Sequence, residues 1–299
     1  MSIEAHGDAR CVWPARAVLG EGPVWSPGQN AVLAVDIRGA RILRWSLSDG
    51  ARSEWPLEEA ACWLVERADG DGFMAGLRSR RVVHLRLDGD RVRIVAELVR
   101  LEAHLPGNRL NDAKADGAGR LWVGSMDDAE AAPVGALYRI DPDGGVTRAD
   151  GGYTVANGPA LSPDGRTLYH TDSAARTVYA FDVAADGALS GKRVHIRFAV
   201  EDGYPDGMTC DAGGGLWIAH WDGGRVSRFR PDGTLDRAVA LPVSRVTSCV
   251  FAGPDLDRLF ITTAAHERPD EPLAGGLFVC VPGVTGLPPG RFGNRAFPS

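Results

Sequence analysis

Short apolar runs separated by turn residues make up almost the whole chain. The runs are rich in β-branched and aromatic residues, which favour strands, and they are too short for the helices of a globular protein. Glycine, proline and aspartate stand between them as turn residues. Typical runs are NAVLAVDI, RILRWSL, RLWVGSM, TLYHTD, TVYAFDV and GLWIAHW. The pattern predicts an all-β protein without an amphipathic helix longer than about two turns.

The runs recur with one plan, in which a strand, a turn and a second strand are followed by a further hairpin partner. Six such units fill residues 20–286, so the period is about 40–50 residues. This period predicts a six-bladed β-propeller with four-stranded blades, formed by residues 1–299 as a single domain. The last unit lacks one strand. We expect the N-terminal segment RCVWPARAV to supply that strand and close the ring.

The repeat gives one position of each unit the same structural surroundings. Five residues before each inner turn, at intervals of 41–49 residues, stand Glu21, Trp63, Asn111, Asn157, Asp206 and Thr247. In a propeller, positions at the start of the innermost strands surround one mouth of the central channel. Asn or Asp beside Gly is a common turn former when it occurs alone. Carboxylates or carboxamides at four of the six equivalent positions indicate a functional site instead.

Three of these positions predict a metal site. Glu21 and Asp206 bring two negative charges into a partly desolvated channel, which is costly unless a positive charge accompanies them. Asn157 adds an amide oxygen to the two carboxylates. Such oxygen donors suit a hard divalent ion such as calcium, magnesium or manganese.

A second set of polar residues is expected at the same mouth, in the loops that follow the second strand of each unit. These loops contain Ile37-Arg38, Asp127-Asp128, Asp172-Ser173, His220-Trp221 and His266-Glu267. Their polar side chains are suited to shaping a pocket for a polar substrate.

Charge and cysteine usage narrow the possible partners and the compartment. The net charge of −6 and the absence of a large Lys/Arg cluster argue against nucleic acid as a partner. No apolar run approaches 18 residues and the first residues lack an apolar signal region, so we expect neither a membrane span nor a secretory leader. The five cysteines never form a C-x-x-C spacing, which predicts free thiols in a reducing compartment. We therefore predict a cytoplasmic protein, and nothing in the sequence implies a protein partner.

With these residues in place, the sequence resembles the gluconolactonase and regucalcin family, also called the senescence marker protein family. The match is greatest with bacterial sugar-lactone lactonases, including those that act on pentonolactones. It covers nearly the whole chain in order. The matching motifs are LGEGPVW, NRLNDAKADGAGRLWVGSM, ANGPALSPDGRTLYHTDS, PDGMTCDAGGGLWIAHWDGGRV and LPVSRVTSCVFAGPDLDRLFITTA.

The resemblance implies a six-bladed propeller with one divalent metal. The metal-ligating Glu, Asn and Asp of the family fall on Glu21, Asn157 and Asp206, and its substrate-binding Arg and Asn fall on Arg109 and Asn111. The metal implied by these donors is Ca²⁺, Zn²⁺, Mn²⁺ or Fe²⁺.

One departure from the family concerns a substrate-contacting acid. Regucalcin-like members carry this acid shortly after the strand that ends here in Gly-Ser-Met, and a gap-free count lands on Ala129. The neighbouring acids Asp127, Asp128 and Glu130 are candidates to replace it, and Asp128 and Glu130 are the predicted substrate-binding residues.

The predicted reaction is metal-dependent hydrolysis of an aldonolactone, such as glucono-, xylono- or arabinonolactone, to the aldonic acid. Asp206 is the predicted general base, and Arg109 and Asn111 are predicted to hold the sugar. The substrate is the only partner expected. Two alternatives remain open: a non-enzymatic calcium-binding or regulatory protein, and phosphotriesterase or arylesterase activity at the same metal site.

Overall fold

The computed structural model describes residues 8–293. Residues 1–7, on which part of the prediction of no secretory leader rests, lie outside them. The described part contains 24 strands and one short 3₁₀ turn at Val200–Asp202. It contains no helix long and apolar enough to cross a membrane.

The strands form six antiparallel four-stranded sheets. After β1 (Arg10–Trp13), the first sheet comprises β2 (Gly20–Ser26), β3 (Ala31–Asp36), β4 (Arg41–Ser46) and β5 (Arg52–Pro56). The second comprises β6 (Ala61–Glu66), β7 (Phe73–Leu77), β8 (Arg81–Asp88) and β9 (Arg91–Arg100). The third comprises β10 (Asn108–Ala115), β11 (Leu121–Asp127), β12 (Gly135–Ile140) and β13 (Val146–Tyr153).

The remaining sheets follow the same order. The fourth comprises β14 (Ala156–Leu161), β15 (Thr167–Asp172), β16 (Thr177–Val183) and β17 (Leu189–Arg197). The fifth comprises β18 (Tyr204–Cys210), β19 (Leu216–Trp221), β20 (Arg225–Phe229) and β21 (Leu235–Ala240). The sixth comprises β22 (Val246–Ala252), β23 (Arg258–Thr263), β24 (Leu277–Cys280) and β1. The first strand of each unit contacts its counterparts in both neighbouring units, so these strands form the inner ring of a six-bladed β-propeller.

The ring closes as the sequence predicts. Strand β1 pairs antiparallel with β24, through Arg10 opposite Val279 and Cys11 opposite Phe278. The N-terminal segment thus completes the sixth blade and covers the edge of β24, so two distant parts of the chain are joined in one sheet.

Aspartates fix the inner turns of the third and fifth blades. Asp211 Oδ1 accepts the backbone N–H groups of Gly213 and Gly215, both at 2.9 Å. Its Oδ2 accepts from the Trp217 indole at 2.9 Å and from Arg228 Nε at 2.6 Å. The side chain of Asp211 is fully buried. One carboxylate therefore satisfies two turn amides, a buried tryptophan and a partly buried guanidinium.

We expect Asp211→Ala to lower the free energy of unfolding by about 3 kcal/mol, because it leaves the buried Trp217 indole and two turn amides without their acceptor and removes one of the two carboxylates that Arg228 contacts. Urea denaturation measures this. The matched control is Asp232→Ala, in an exposed turn where the carboxylate accepts only from Thr234, and it should change stability little. Equal losses in the two variants would contradict this assignment.

The C-terminal part of the described chain crosses the mouth where the inner strands end. The Phe292 amide donates to Glu66 O at 2.9 Å, the Gly293 amide to Gly119 O at 3.0 Å, and the Gly286 amide to Leu256 O at 2.8 Å. A cavity of about 1150 Å³ lies at this mouth, with Lys114 in its lining. The predicted metal ligands stand at the starts of the inner strands, at the other mouth.

Candidate metal centre and substrate pocket

Each innermost strand carries a β-bulge close to the position that the repeat makes equivalent. In the first blade, for example, the pairing passes from Glu21 opposite Val35 to Val24 opposite Leu33, so the inner strand has one extra residue. A bulge bends its strand and re-aims the local side chains. The other five shifts lie between Ala61 and Trp63, Leu110 and Ala113, Asn157 and Ala160, Pro205 and Met208, and Val246 and Ser248.

Asn157 is held so that its amide oxygen is left free. Asn157 Nδ2 donates to Ser173 Oγ at 3.1 Å, and Ser173 Oγ donates to the Pro205 carbonyl at 2.6 Å. This chain links the fourth blade to the residue before Asp206. Asn157 Oδ1 is buried and has no hydrogen-bond partner among residues 8–293.

Glu21 and Asp206 form a buried and mutually repelling pair. Glu21 is 7% exposed and Asp206 is 5% exposed. Glu21 Oε2 accepts from the Gly22 amide at 3.0 Å, whereas Asp206 Oδ1 is a second buried oxygen without a partner in the described chain. Burial, and next the charge of Asp112, raises the pKa of Glu21 to about 8. Burial, and next the charge of Glu21, holds the pKa of Asp206 well above its usual range.

These donors fit a hard divalent ion. Two carboxylates and an amide oxygen are the donor types that such ions prefer, and two of their oxygens are buried without a hydrogen bond from any residue that the structure describes. A divalent ion beside Glu21 and Asp206 would also offset the burial and the repulsion that raise their pKa values. Within residues 8–293 no group of three or more His, Cys, Asp or Glu side chains is arranged to bind a metal. The set described here is of a different kind, because an asparagine provides its third donor.

Arg109 and Asn111 form a buried network between the third and fourth blades. Arg109 Nη1 donates to Asn111 Oδ1 at 2.6 Å and to the Leu110 carbonyl at 3.0 Å. Asn111 Nδ2 donates to the Ala156 carbonyl at 2.8 Å. Both side chains are 7% exposed. Asn111 is therefore rigidly placed, and its amide nitrogen is already engaged with the neighbouring blade.

The three acids around Ala129 have different surroundings. Asp127 accepts the backbone amides of residues 129, 131 and 132, so it holds the loop itself. Asp128 Oδ1 lies 3.0 Å from Arg109 Nε, and the same carboxylate pairs with Arg78. Glu130 has a positive φ of 56°, and its backbone amide donates to the Asp127 carbonyl at 3.0 Å. Its carboxylate makes no hydrogen bond or ion pair with any described residue, and its charge contributes to the raised pKa of Asp206.

The polar residues in the loops after the second strand of each blade have different roles. Asp36 and Asp172 each accept two backbone amides of the segment before the innermost strand of their own blade, which is a structural task. Arg38 Nη1 lies 2.8 Å from His266 Nε2, joining the first and sixth blades. Arg245 stacks over Trp221, with its guanidinium carbon 4.6 Å from the ring centroid. Fixed cationic and aromatic side chains thus stand among these loops.

Asp112 is a functional candidate that the sequence reasoning missed. It is 3% exposed. Burial raises its pKa to about 6, and its charge acts on both Glu21 and Asp206. The repeat contained a signal for it, because the residue after the equivalent position is glycine in the three blades that carry the predicted ligands and aspartate in the third blade.

The chain is similar in sequence to known proteins along nearly its whole length. The family model described as SMP-30/Gluconolactonase/LRE-like region matches residues 19–265. The chain is 34% identical over 295 residues to regucalcin of Gallus gallus, covering 94% of this chain and 97% of that protein. It is 36% identical over 282 residues to the pentonolactonase XacC of Haloferax volcanii, covering 90% and 93%.

A solved structure of a related protein has the same fold. The crystal structure of a calcium-binding protein, regucalcin, from Agrobacterium tumefaciens superposes with a TM-score of 0.88 at 25% identity, covering 98% of this chain and 99% of that one. The family match spans more than half of the chain, and both sequence relatives exceed 30% identity over nearly its whole length. The chain therefore belongs to the SMP-30/gluconolactonase/LRE-like family.

Proposed function

We propose that the protein is a metal-dependent sugar-lactone hydrolase that converts an aldonolactone to its aldonic acid. The observation that carries the proposal is the buried donor set of Glu21, Asn157 and Asp206, two of whose oxygens have no partner in the described chain. The similarity to a pentonolactonase supports the reaction class. A five-carbon lactone such as xylono- or arabinonolactone is the first substrate to test, with gluconolactone beside it.

Glu21, Asn157 and Asp206 would hold one divalent ion through oxygen atoms. When bound, such an ion supplies Lewis acidity that polarises a carbonyl and lowers the pKa of water. The oxygen donors favour Ca²⁺ or Mn²⁺, and they also admit Zn²⁺ or Fe²⁺.

Asp206 would act as the general base. Its carboxylate is buried and has two oxygens, so one can serve as a metal donor while the other accepts the proton of the attacking water. The water oxygen bonds to the lactone carbonyl carbon. The ring C–O bond then breaks, and the proton on Asp206 passes to the departing ring oxygen, which becomes the hydroxyl of the aldonate.

The sugar would be held by Arg109, Asn111, Asp128 and Glu130. Arg109 is fixed by Asn111 and Asp128, so it can donate to a sugar oxygen without losing its position. The carboxylate of Glu130 has no hydrogen-bond partner in the described chain and its charge acts on Asp206, which suits hydrogen bonds from ring hydroxyls to its oxygens. We assign Glu130, rather than the ion-paired Asp128, the larger part in choosing among sugars.

The similarity to regucalcin supports a second candidate function, that of a non-enzymatic calcium-binding protein. The buried Arg109–Asn111 network beside the metal residues favours an enzyme, because a calcium buffer has no need of fixed sugar-binding donors. The five cysteines are all free thiols, which fits the cytoplasmic location that the proposal assigns.

Chelation and metal restoration test the proposal. Protein stripped with EDTA should release no acid from xylono-, arabinono- or gluconolactone, and one added divalent ion should restore hydrolysis. A metal-free preparation that retains full activity would overturn the metal requirement. Calcium binding without turnover of any lactone would favour the regulatory protein, and turnover of a phosphotriester or aryl ester alone would favour the esterase alternative.

A further inference from the structure

Asp112 stands at a position that is glycine in three other blades. These are the blades that carry the proposed metal ligands, and in each of them a glycine follows the ligand. Gly22 and Gly158 have positive φ values of 50° and 66°, and a side chain at Gly207 would collide with Ser248. The corresponding residue of the third blade lies in the same kind of bulge but carries a carboxylate.

Only one of the two carboxylate oxygens of Asp112 accepts a hydrogen bond from the described chain. Its Oδ1 accepts from the Ala113 amide at 2.7 Å. Its Oδ2 is buried and has no hydrogen-bond partner among the described residues. A buried carboxylate oxygen without a donor is costly, so it needs water, a cation or the hydration shell of a cation.

The surrounding charges define the role of Asp112. Glu21 and Asp206 are the two nearby acids on which its charge acts, and together they would balance one divalent ion. Asp112 adds a third negative charge. Lys114, two residues along the same strand, has no carboxylate within 4 Å in the described chain, and its positive charge acts on Asp112. The charges of Arg109 and Glu130, which act on the first two acids, are opposite in sign and cancel. A divalent ion and Lys114 together therefore balance the three acids.

We propose that Asp112 is a positioning residue of the metal centre, whose free Oδ2 accepts a hydrogen bond from water of the divalent ion's hydration shell, while Lys114 balances its charge. This inference rests on the proposed metal-binding function. Acceptors that orient the groups around a metal typically change its affinity when they are removed.

The test is calorimetric titration of the EDTA-stripped full chain with CaCl₂ and with MnCl₂. Asp112→Asn should weaken the affinity of the ion that the wild type binds by about 10- to 100-fold. Thermal unfolding of the metal-free variant should occur at or above the wild-type temperature, since one repulsive charge is gone. Lys114→Met should bind the ion about tenfold more tightly, because the site becomes more negative.

Asp116→Asn is the matched control. Asp116 follows the same strand, but its carboxylate accepts from Trp122 and Arg120, so this variant should lose stability and keep its metal affinity. An unchanged affinity of Asp112→Asn for the divalent ion would overturn the role of Asp112. If that variant does not fold, an unchanged affinity of Lys114→Met would do the same. Loss of affinity and metal-free stability together would point to a structural residue. Absence of divalent-ion binding by the wild type would remove the proposed function itself.

Discussion

Replacing Asp206 by alanine should reduce lactone hydrolysis by about 10³-fold or more in kcat/KM while the propeller remains folded. The variant loses both a metal donor and the proposed general base. Its metal-free form should be no less stable than the wild type, because the carboxylate is buried, is repelled by Glu21 and has one oxygen without a partner among residues 8–293. Acid release measures activity, elemental analysis measures bound metal, and thermal unfolding measures stability.

Asp211→Ala is the control for this experiment. Asp211 is also a buried aspartate of the fifth blade, but its oxygens are fully engaged at the inner turn. It should lose stability and keep its activity per folded molecule, the reverse of Asp206→Ala. An Asp206→Ala protein that unfolds like the Asp211 variant would make Asp206 a structural residue. One that hydrolyses lactone at the wild-type rate would exclude it as base and ligand.

The propeller was predictable because the chain repeats itself. Each unit must form the same hairpins, so apolar runs and turn residues recur at nearly constant intervals, and the missing strand of the last unit had only the N-terminal segment to supply it. Both predictions are confirmed. The bulges were not predictable. They depend on how an inner strand registers against its neighbour, and the local sequence of one strand does not contain that information.

The repeat predicted where the candidate residues stand in the fold, and their roles at the site stay predictions. The repeat identified equivalent positions around one mouth, and the innermost strands occupy the expected ring. Two of the six, Trp63 and Thr247, are fully buried, and Thr247 Oγ1 donates to the Gly20 carbonyl. The acids of the loop after β11 could not be ranked from the sequence, because hydrogen bonds and ion pairs distinguish Asp127 and Asp128 from Glu130.

The metal-free protein should lose stability as the pH rises from about 5 to 8. In the folded chain burial raises the pKa of Glu21 to about 8, whereas the unfolded chain releases this proton near pH 4.5. Across this interval the folded state binds more protons than the unfolded state, so the free energy of unfolding falls with rising pH, by up to about 4 kcal/mol. The raised pKa of Asp206 acts with the same sign. Urea denaturation of EDTA-treated protein at several pH values measures the slope.

A saturating divalent ion should cancel most of this loss. The ion binds the ionised carboxylates, so its stabilising effect should grow as the pH rises toward 8. Glu21→Gln is the diagnostic variant, because it carries no charge at any of these pH values. Its metal-free form should be more stable than the wild type at pH 8 and should show a weaker pH dependence. A metal-free wild type whose stability is constant or increases from pH 5 to 8 would mean that burial and mutual repulsion do not disfavour the charged channel carboxylates, and the electrostatic reason for a metal at this mouth would be lost.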